Sequence, residues 1–214
     1  MMLSGQLPAG FRRLDYIESD GNAYILTQIA AGSREVRFRG QWYKTTQASA
    51  EQALFALVSG TEENAVELGF SSTSNRVFLY SKGTSNSNNS ANLTNAVVYN
   101  NWVDFVATVT DGSPHKSLEV TAGGNTISAT ATTTNSANLE TATLALFTGR
   151  VRTQNCPGKM GELFMYTGSG FTTLSADLVP AERLSDNIKG YYDTVGGTFY
   201  PSDGSSDFSG GMIA

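Results

Sequence analysis

The stretch Tyr99-Asn100-Asn101-Trp102 is where this sequence comes nearest to a binding chemistry. Aromatic faces stack on the apolar faces of sugar rings, and amides beside them read hydroxyl groups. Trp42 with its neighbour Tyr43, and Tyr80, offer parts of the same combination. Core packing competes for each of them, because a Trp that opens an apolar run such as WVDFVATV commonly faces inward.

Catalytic chemistry is harder to assemble. Glycoside hydrolysis needs two carboxyl groups roughly 5 to 10 Å apart, which a single strand presents at alternate positions on one face. Within the apolar runs the acidic residues do not pair in this way: Glu67 and Glu119 stand alone, Glu162 has no acidic residue at i+2, and Glu62 and Glu63 are neighbours in a turn. Separate strands remain the one source of a pair. The single histidine, His115, sits in DGSPHKS, a hairpin turn in which an exposed ring is expected rather than a buried general base. There is no Gly-x-Ser-x-Gly elbow and no phosphate-loop motif. Cys156 is the one cysteine, so it has no disulfide or metal-site partner and reads as an inert thiol made in a reducing compartment. The acidic turns SDGN (19–22) and DGSSD (203–207) are explained by turn formation, whereas calcium demands several converging oxygens. We therefore expect a non-enzyme with no metal and no cofactor.

The composition sets the elements that must position these residues. The 214 residues fit one domain, 1–214. Charged residues make up only 15% of the chain, so its polarity comes from Ser, Thr, Asn and Gly, which favours strands and turns. A net charge of -5 argues against a nucleic-acid partner. Arg34, Arg37, Arg39 and Lys44 form the one basic cluster, and alternation with Phe38 makes it a solvated strand face. No apolar run approaches the ~18 residues of a membrane span, so no membrane insertion is expected, and no secretory signal is visible at the start.

Short apolar runs recur between Gly, Asn, Asp and Ser turn signals, among them 23–29, 35–43, 53–60, 65–70, 76–81, 102–110, 117–122, 125–132, 141–149 and 160–168. So many strands with little helix predict an all-β fold, a two-sheet antiparallel jelly-roll sandwich. Segment 45–57 reads as a short helical turn or a strand, and LVPAERLSDNIKG (178–190) as one irregular turn opened by Pro180. The polar stretch 82–101 reads as a long loop or β-arm, and 1–10 as an N-terminal arm. NSANL occurs at 89–93 and again at 135–139. In YYDTVGGTFYPS the Gly196-Gly197 pair suits a two-residue type I′ hairpin turn that brings Tyr192 opposite Phe199 or Tyr200.

Two motifs carry a resemblance. Near the start, Leu7, Pro8, Gly10, Leu14, Tyr16, Ile17, Glu18, Ser19, Gly21, Tyr24 and Ile25 match an N-terminal pattern, with Phe11, Asp15 and Ala23 departing from it. Near the end, Pro180, Arg183, Ser185, Asp186, Gly190, Tyr192, Asp193, Phe199 and Tyr200 match a second. Together they resemble the concanavalin A-like lectin/glucanase (laminin-G-like) proteins of tailed phages, prophages and gut bacteria. The resemblance implies one concanavalin A-like jelly roll over nearly the whole chain, with first and last strands side by side. It further implies a virion-associated structural or adhesion protein (capsid decoration, fibre or tail component), made in the host cytoplasm. The partners it implies are other virion proteins, cell-surface glycan and further copies of the chain. The alternatives are a carbohydrate-binding module of a bacterial surface or secreted system and, less favoured by the residues, a glycoside hydrolase.

Overall fold

The structure, a computed structural model, describes residues 7–59, 64–73, 75–82, 89–132, 137–151 and 153–213. Among these the chain forms strands β1 (Phe11–Arg13), β2 (Tyr16–Ser19), β3 (Ile25–Ala30), β4 (Val36–Tyr43), β5 (Gln52–Val58), β6 (Ala65–Ser71), β7 (Arg76–Lys82), β8 (Asn89–Leu93) and β9 (Trp102–Val109). They continue with β10 (Lys116–Ala122), β11 (Asn125–Ala131), β12 (Thr143–Leu146), β13 (Gly158–Thr167), β14 (Thr173–Arg183), β15 (Ile188–Asp193), β16 (Thr198–Pro201) and β17 (Ser209–Gly211). One 3-10 turn, Ser169–Phe171, interrupts them, and no described helix is long and apolar enough to cross a membrane.

The strands make two antiparallel sheets. The larger runs β11-β10-β9-β4-β13-β14-β15-β16, with β1 on β14 and β2 between β13 and β17; the smaller runs β3-β12-β5-β6-β7-β8. β17 pairs with β2 through Gly210 and Ile17, so the two ends of the chain do lie side by side. The apolar faces of the sheets meet in one core. Phe38 of β4 packs on Phe55 of β5 at 4.3 Å between ring centroids, and Trp42 meets Phe70 edge-on at 5.4 Å and stacks on Phe105 at 5.3 Å. Alternation explains the division: along β4, Val36, Phe38 and Trp42 are buried while Arg37, Arg39, Gln41 and Tyr43 point away from the core.

Three local readings change. Residues 178–183 are strand, with Pro180 in mid-sheet. The β13 register on β14 ends at Leu178 and that of β1 begins at Ala181, so Pro180 sits at the handover, where a missing N–H breaks no ladder. The Pro180 carbonyl accepts the Leu14 N–H at 2.8 Å. In the closing hairpin, Asp193 pairs with Thr198, so the loop has four residues and only Gly197 takes a positive φ, 69°. The Asp193 carboxylate stands in for a glycine by accepting the Val195 and Gly196 N–H groups at 3.1 and 3.0 Å. Tyr192 does face Phe199, and Pro201 closes an edge strand. The third is Lys44, which is buried between the sheets and not on a solvated face. β4 ends at Tyr43, and the Lys44 ammonium donates to Gln52 Oε1 at 2.7 Å and the Pro157 carbonyl at 2.8 Å. Of the stretch 82–101, residues 83–88 lie outside the described residues, and Asn89–Leu93 pairs with β7.

Candidate functional site

On its outer face the larger sheet carries an open trough of about 740 Å³. Its floor and walls follow from register. Gln41 lies opposite Asp104, and Arg39 opposite Val106, across β4 and β9; Glu119 and Thr121 of β10 continue these rows, and Phe164 and Tyr166 of β13 flank Arg39 and Arg37. Because each strand alternates, all of these side chains point the same way. A second depression shares Arg39, Val106 and Glu119 and extends toward Arg37 and Ser117.

A bulge aims one carboxyl group into the trough. Met160 pairs with Trp42 and Leu163 with Gly40, so Gly161 and Glu162 together face the single residue Gln41. The carbonyls that the bulge frees are taken up from behind, where the buried Tyr191 hydroxyl donates to Met160 O at 2.8 Å and Gly161 O at 3.0 Å. Glu162 accepts a hydrogen bond from Arg13 at 3.1 Å. Burial raises its pKa above the ordinary glutamate value, Arg13 opposes the rise and Asp177 adds to it. Asp104 accepts the Gln41 amide at 2.6 Å. Arg37 lies over the Phe171 ring at 4.2 Å. Arg39 is exposed and forms no ion pair among the described residues.

None of the seven binding candidates that the sequence suggests lines the trough. Tyr43 and Trp102 are opposite each other on the same outer face, with ring centroids 5.6 Å apart; Tyr16 joins them, and Lys159 lies over Tyr16 at 4.5 Å. Trp42 is a correction: it is fully buried between the sheets and has no face to offer a ligand. Tyr80 is another. It belongs to the smaller sheet, is 8% exposed and is covered by the Arg150 guanidinium at 5.0 Å. Tyr99 packs half-buried against the core and donates its hydroxyl to Asn75 at 2.9 Å. Asn100 and Asn101 are exposed, and Asn100 serves the turn with a φ of 57° and an N–H on Lys44 O at 2.8 Å.

Gln41, Asp104, Phe164 and Tyr166 are missed by sequence reasoning, which weighs Glu119 and Glu162 only as lone carboxylates. Alternation in β4, β9, β10 and β13 signals that they face outward, but nothing local signals that β4, the β9–β10 hairpin and β13 lie adjacent. The carboxylates that no single strand could pair reach one face from three strands. His115 is half-buried in the β9–β10 turn, its Nδ1 3.3 Å from Thr110 O. Burial pushes the Cys156 thiol up, as suits a structural cysteine. In the acidic turns, Asp20 accepts the Asn22 and Ala23 N–H groups and the Ser206 hydroxyl, which hold its pKa at about 2, and Asp203 accepts the Leu26 N–H.

Behind Tyr80 lies a buried carboxyl group with a measurable consequence. Glu67 accepts the Arg150 N–H at 2.9 Å, and burial raises its pKa. The folded chain therefore retains this proton at pH values where the unfolded chain has lost it. Stability from this group is present at low pH and is lost as pH rises through the folded value. Glu67→Gln should flatten the decline in stability that sets in as pH rises above the ordinary glutamate range, measured by urea unfolding across a pH series.

The fold defines a class: a lectin-like jelly-roll sandwich of the concanavalin A type. No protein-family model matches the chain, and no curated protein matches it. Solved structures do. The enzymatically active domain of tailspike protein 2 from bacteriophage CBA120 superposes with a TM-score of 0.56 at 13% identity, over 78% of this chain and 29% of that one. The full-length tailspike of this Escherichia coli O157:H7 phage gives 0.56 at 14% identity, over 68% of this chain and 21% of that one. The CBM40 of the Ruminococcus gnavus IT-sialidase gives 0.55 at 12% identity, over 73% and 90%. The chain thus spans less than a third of the tailspike chains that it matches.

Proposed function

We propose that this protein is a carbohydrate-recognition module of a phage particle, serving adhesion or structure without catalysis, and that its ligand lies in the trough. The observation that carries the reading is the outer face of the larger sheet. An open trough there combines aromatic rings (Phe164, Tyr166) with guanidinium, amide and carboxylate groups (Arg39, Gln41, Asp104) that can read hydroxyls. The likeness of the fold to a phage tailspike domain and to a carbohydrate-binding module supports it. Phe164 and Tyr166 are stacked at 6.5 Å and only half-buried, an apolar strip of the kind that sugar rings cover.

A second reading, glycoside hydrolysis, is favoured by one observation: Asp104, Glu119 and Glu162 line the same trough. One experiment separates the readings. A glycan array probed with the whole chain, followed by chromatography of each bound glycan after incubation, should show retention without shortened products. Shortened products would establish the hydrolase, and no retention would remove the trough reading. Mass spectrometry of purified virions tests the particle assignment. Tyr166→Ala should weaken glycan binding about tenfold, the loss of one aromatic contact, with unfolding unchanged.

A further inference from the structure

We propose that Glu162 and Asp177 hold a single proton between Glu162 Oε1 and Asp177 Oδ1, and that this proton controls ligand binding in the trough. Only the second half of the inference rests on the proposed glycan site.

Each carboxyl group has one oxygen satisfied and one not. Asp177 is 5% exposed; its Oδ2 accepts the Thr194 hydroxyl at 2.6 Å, and its Oδ1 has no donor. Glu162 Oε2 accepts from Arg13, and its buried Oε1 likewise has no donor. Asp177 lies opposite Phe164, and Glu162 is two residues along β13 on the same side, so the two carboxyl groups are diagonal neighbours across β13 and β14, a separation that long side chains bridge; Asp177 also contributes to the raised Glu162 pKa. Two ionised carboxylates offer four acceptor oxygens and no hydrogen, so both would remain buried and unmet. One proton satisfies both at once, and the charge of one carboxylate disfavours ionisation of a close neighbour.

The surroundings fix the charge. From β1, Arg13 partly neutralises Glu162; from β4 and β9, Arg39 and Asp104 share the trough with it. Behind Asp177, the Asp193 carboxylate is committed to accepting the backbone N–H groups of Asp177, Val195 and Gly196. When the shared proton leaves, the two carboxylates repel across β13 and β14. That repulsion loosens the bulge that aims Glu162, so affinity falls as pH rises.

Carbon-13 NMR of the labelled side-chain carboxyls tests the pair on the whole chain without any ligand. Glu162 and Asp177 are expected to titrate together, with one step above the ordinary glutamate range. In Glu162→Gln, whose amide N–H replaces the proton, that step should vanish with no loss of melting temperature at pH 5. Two independent titrations in the ordinary carboxylate range would overturn the pair, as would Glu162→Gln losing as much stability at pH 5 as Glu162→Ala. With a glycan retained on the array, Kd should rise up to about tenfold per pH unit across the same step and stay level in Glu162→Gln. A Kd indifferent to pH alongside a coupled titration overturns the control of binding. A chain that retains no glycan removes the trough reading and leaves the titration to judge the pair.

Discussion

Replacing Trp42 with alanine is expected to destabilise the chain by about 3–5 kcal/mol, read as a shift of the urea midpoint with an unchanged slope. Trp42 is fully buried, stacked on Phe105 and edge-on to Phe70, so it joins the two sheets at the centre of the sandwich. Truncation removes the largest side chain of the core and leaves a cavity walled by rings that the sheets hold in place. The collapse available is small, because Phe105 and Phe55 are themselves stacked at 5.9 Å. Trp42→Phe retains most of the contact and should lose much less. A fall in glycan binding at full stability, the behaviour of a ligand-stacking Trp, would contradict this placement.

Gly190→Ala should be nearly as damaging, about 3 kcal/mol by overpacking, although it adds one methyl group. Gly190 lies on β15 between Ala181 and Pro201. A Cβ there would stand 2.2 Å from the Tyr200 carbonyl oxygen and 3.1 Å from the Phe199 ring. The obstacle is backbone, so relief requires β16 to move away from β15. That movement disturbs the neighbouring Tyr191, whose hydroxyl secures the bulge beneath Glu162. The variant should therefore lose both the midpoint in urea and, at temperatures where it remains folded, affinity for any trough ligand. A variant with wild-type stability would show that β16 is not held as described.

The two effects illustrate how unevenly the chain announces itself. Alternation in EVRFRGQWY is explicit, and Arg37, Arg39 and Phe38 take the faces that it assigns. The same alternation puts Lys44, two residues after Trp42, on the inward side; its charge suggests a solvated face, but the buried ammonium finds two oxygen acceptors there. NSANL makes the point twice over. At 89–93 it is strand β8, while Ala137, Asn138 and Leu139 of the second copy are not in a strand, with Leu139 fully buried. Five identical residues leave the choice to whatever packs against them. Pro180 misleads for a related reason, since its acceptability in a sheet depends on where two neighbouring strands hand over.

By itself the sequence determined the all-β class, most strand positions and the two faces of alternating strands such as β4, because side-chain alternation and turn chemistry act over a few residues. Only the tertiary structure decided which strands are neighbours. That choice buried Trp42 and Tyr80, left Tyr43 and Trp102 outside, and gathered Gln41, Asp104, Glu119, Glu162 and Tyr166 on one face. Register between strands distant in sequence is a property of how the two sheets pack, so no local pattern encodes the trough.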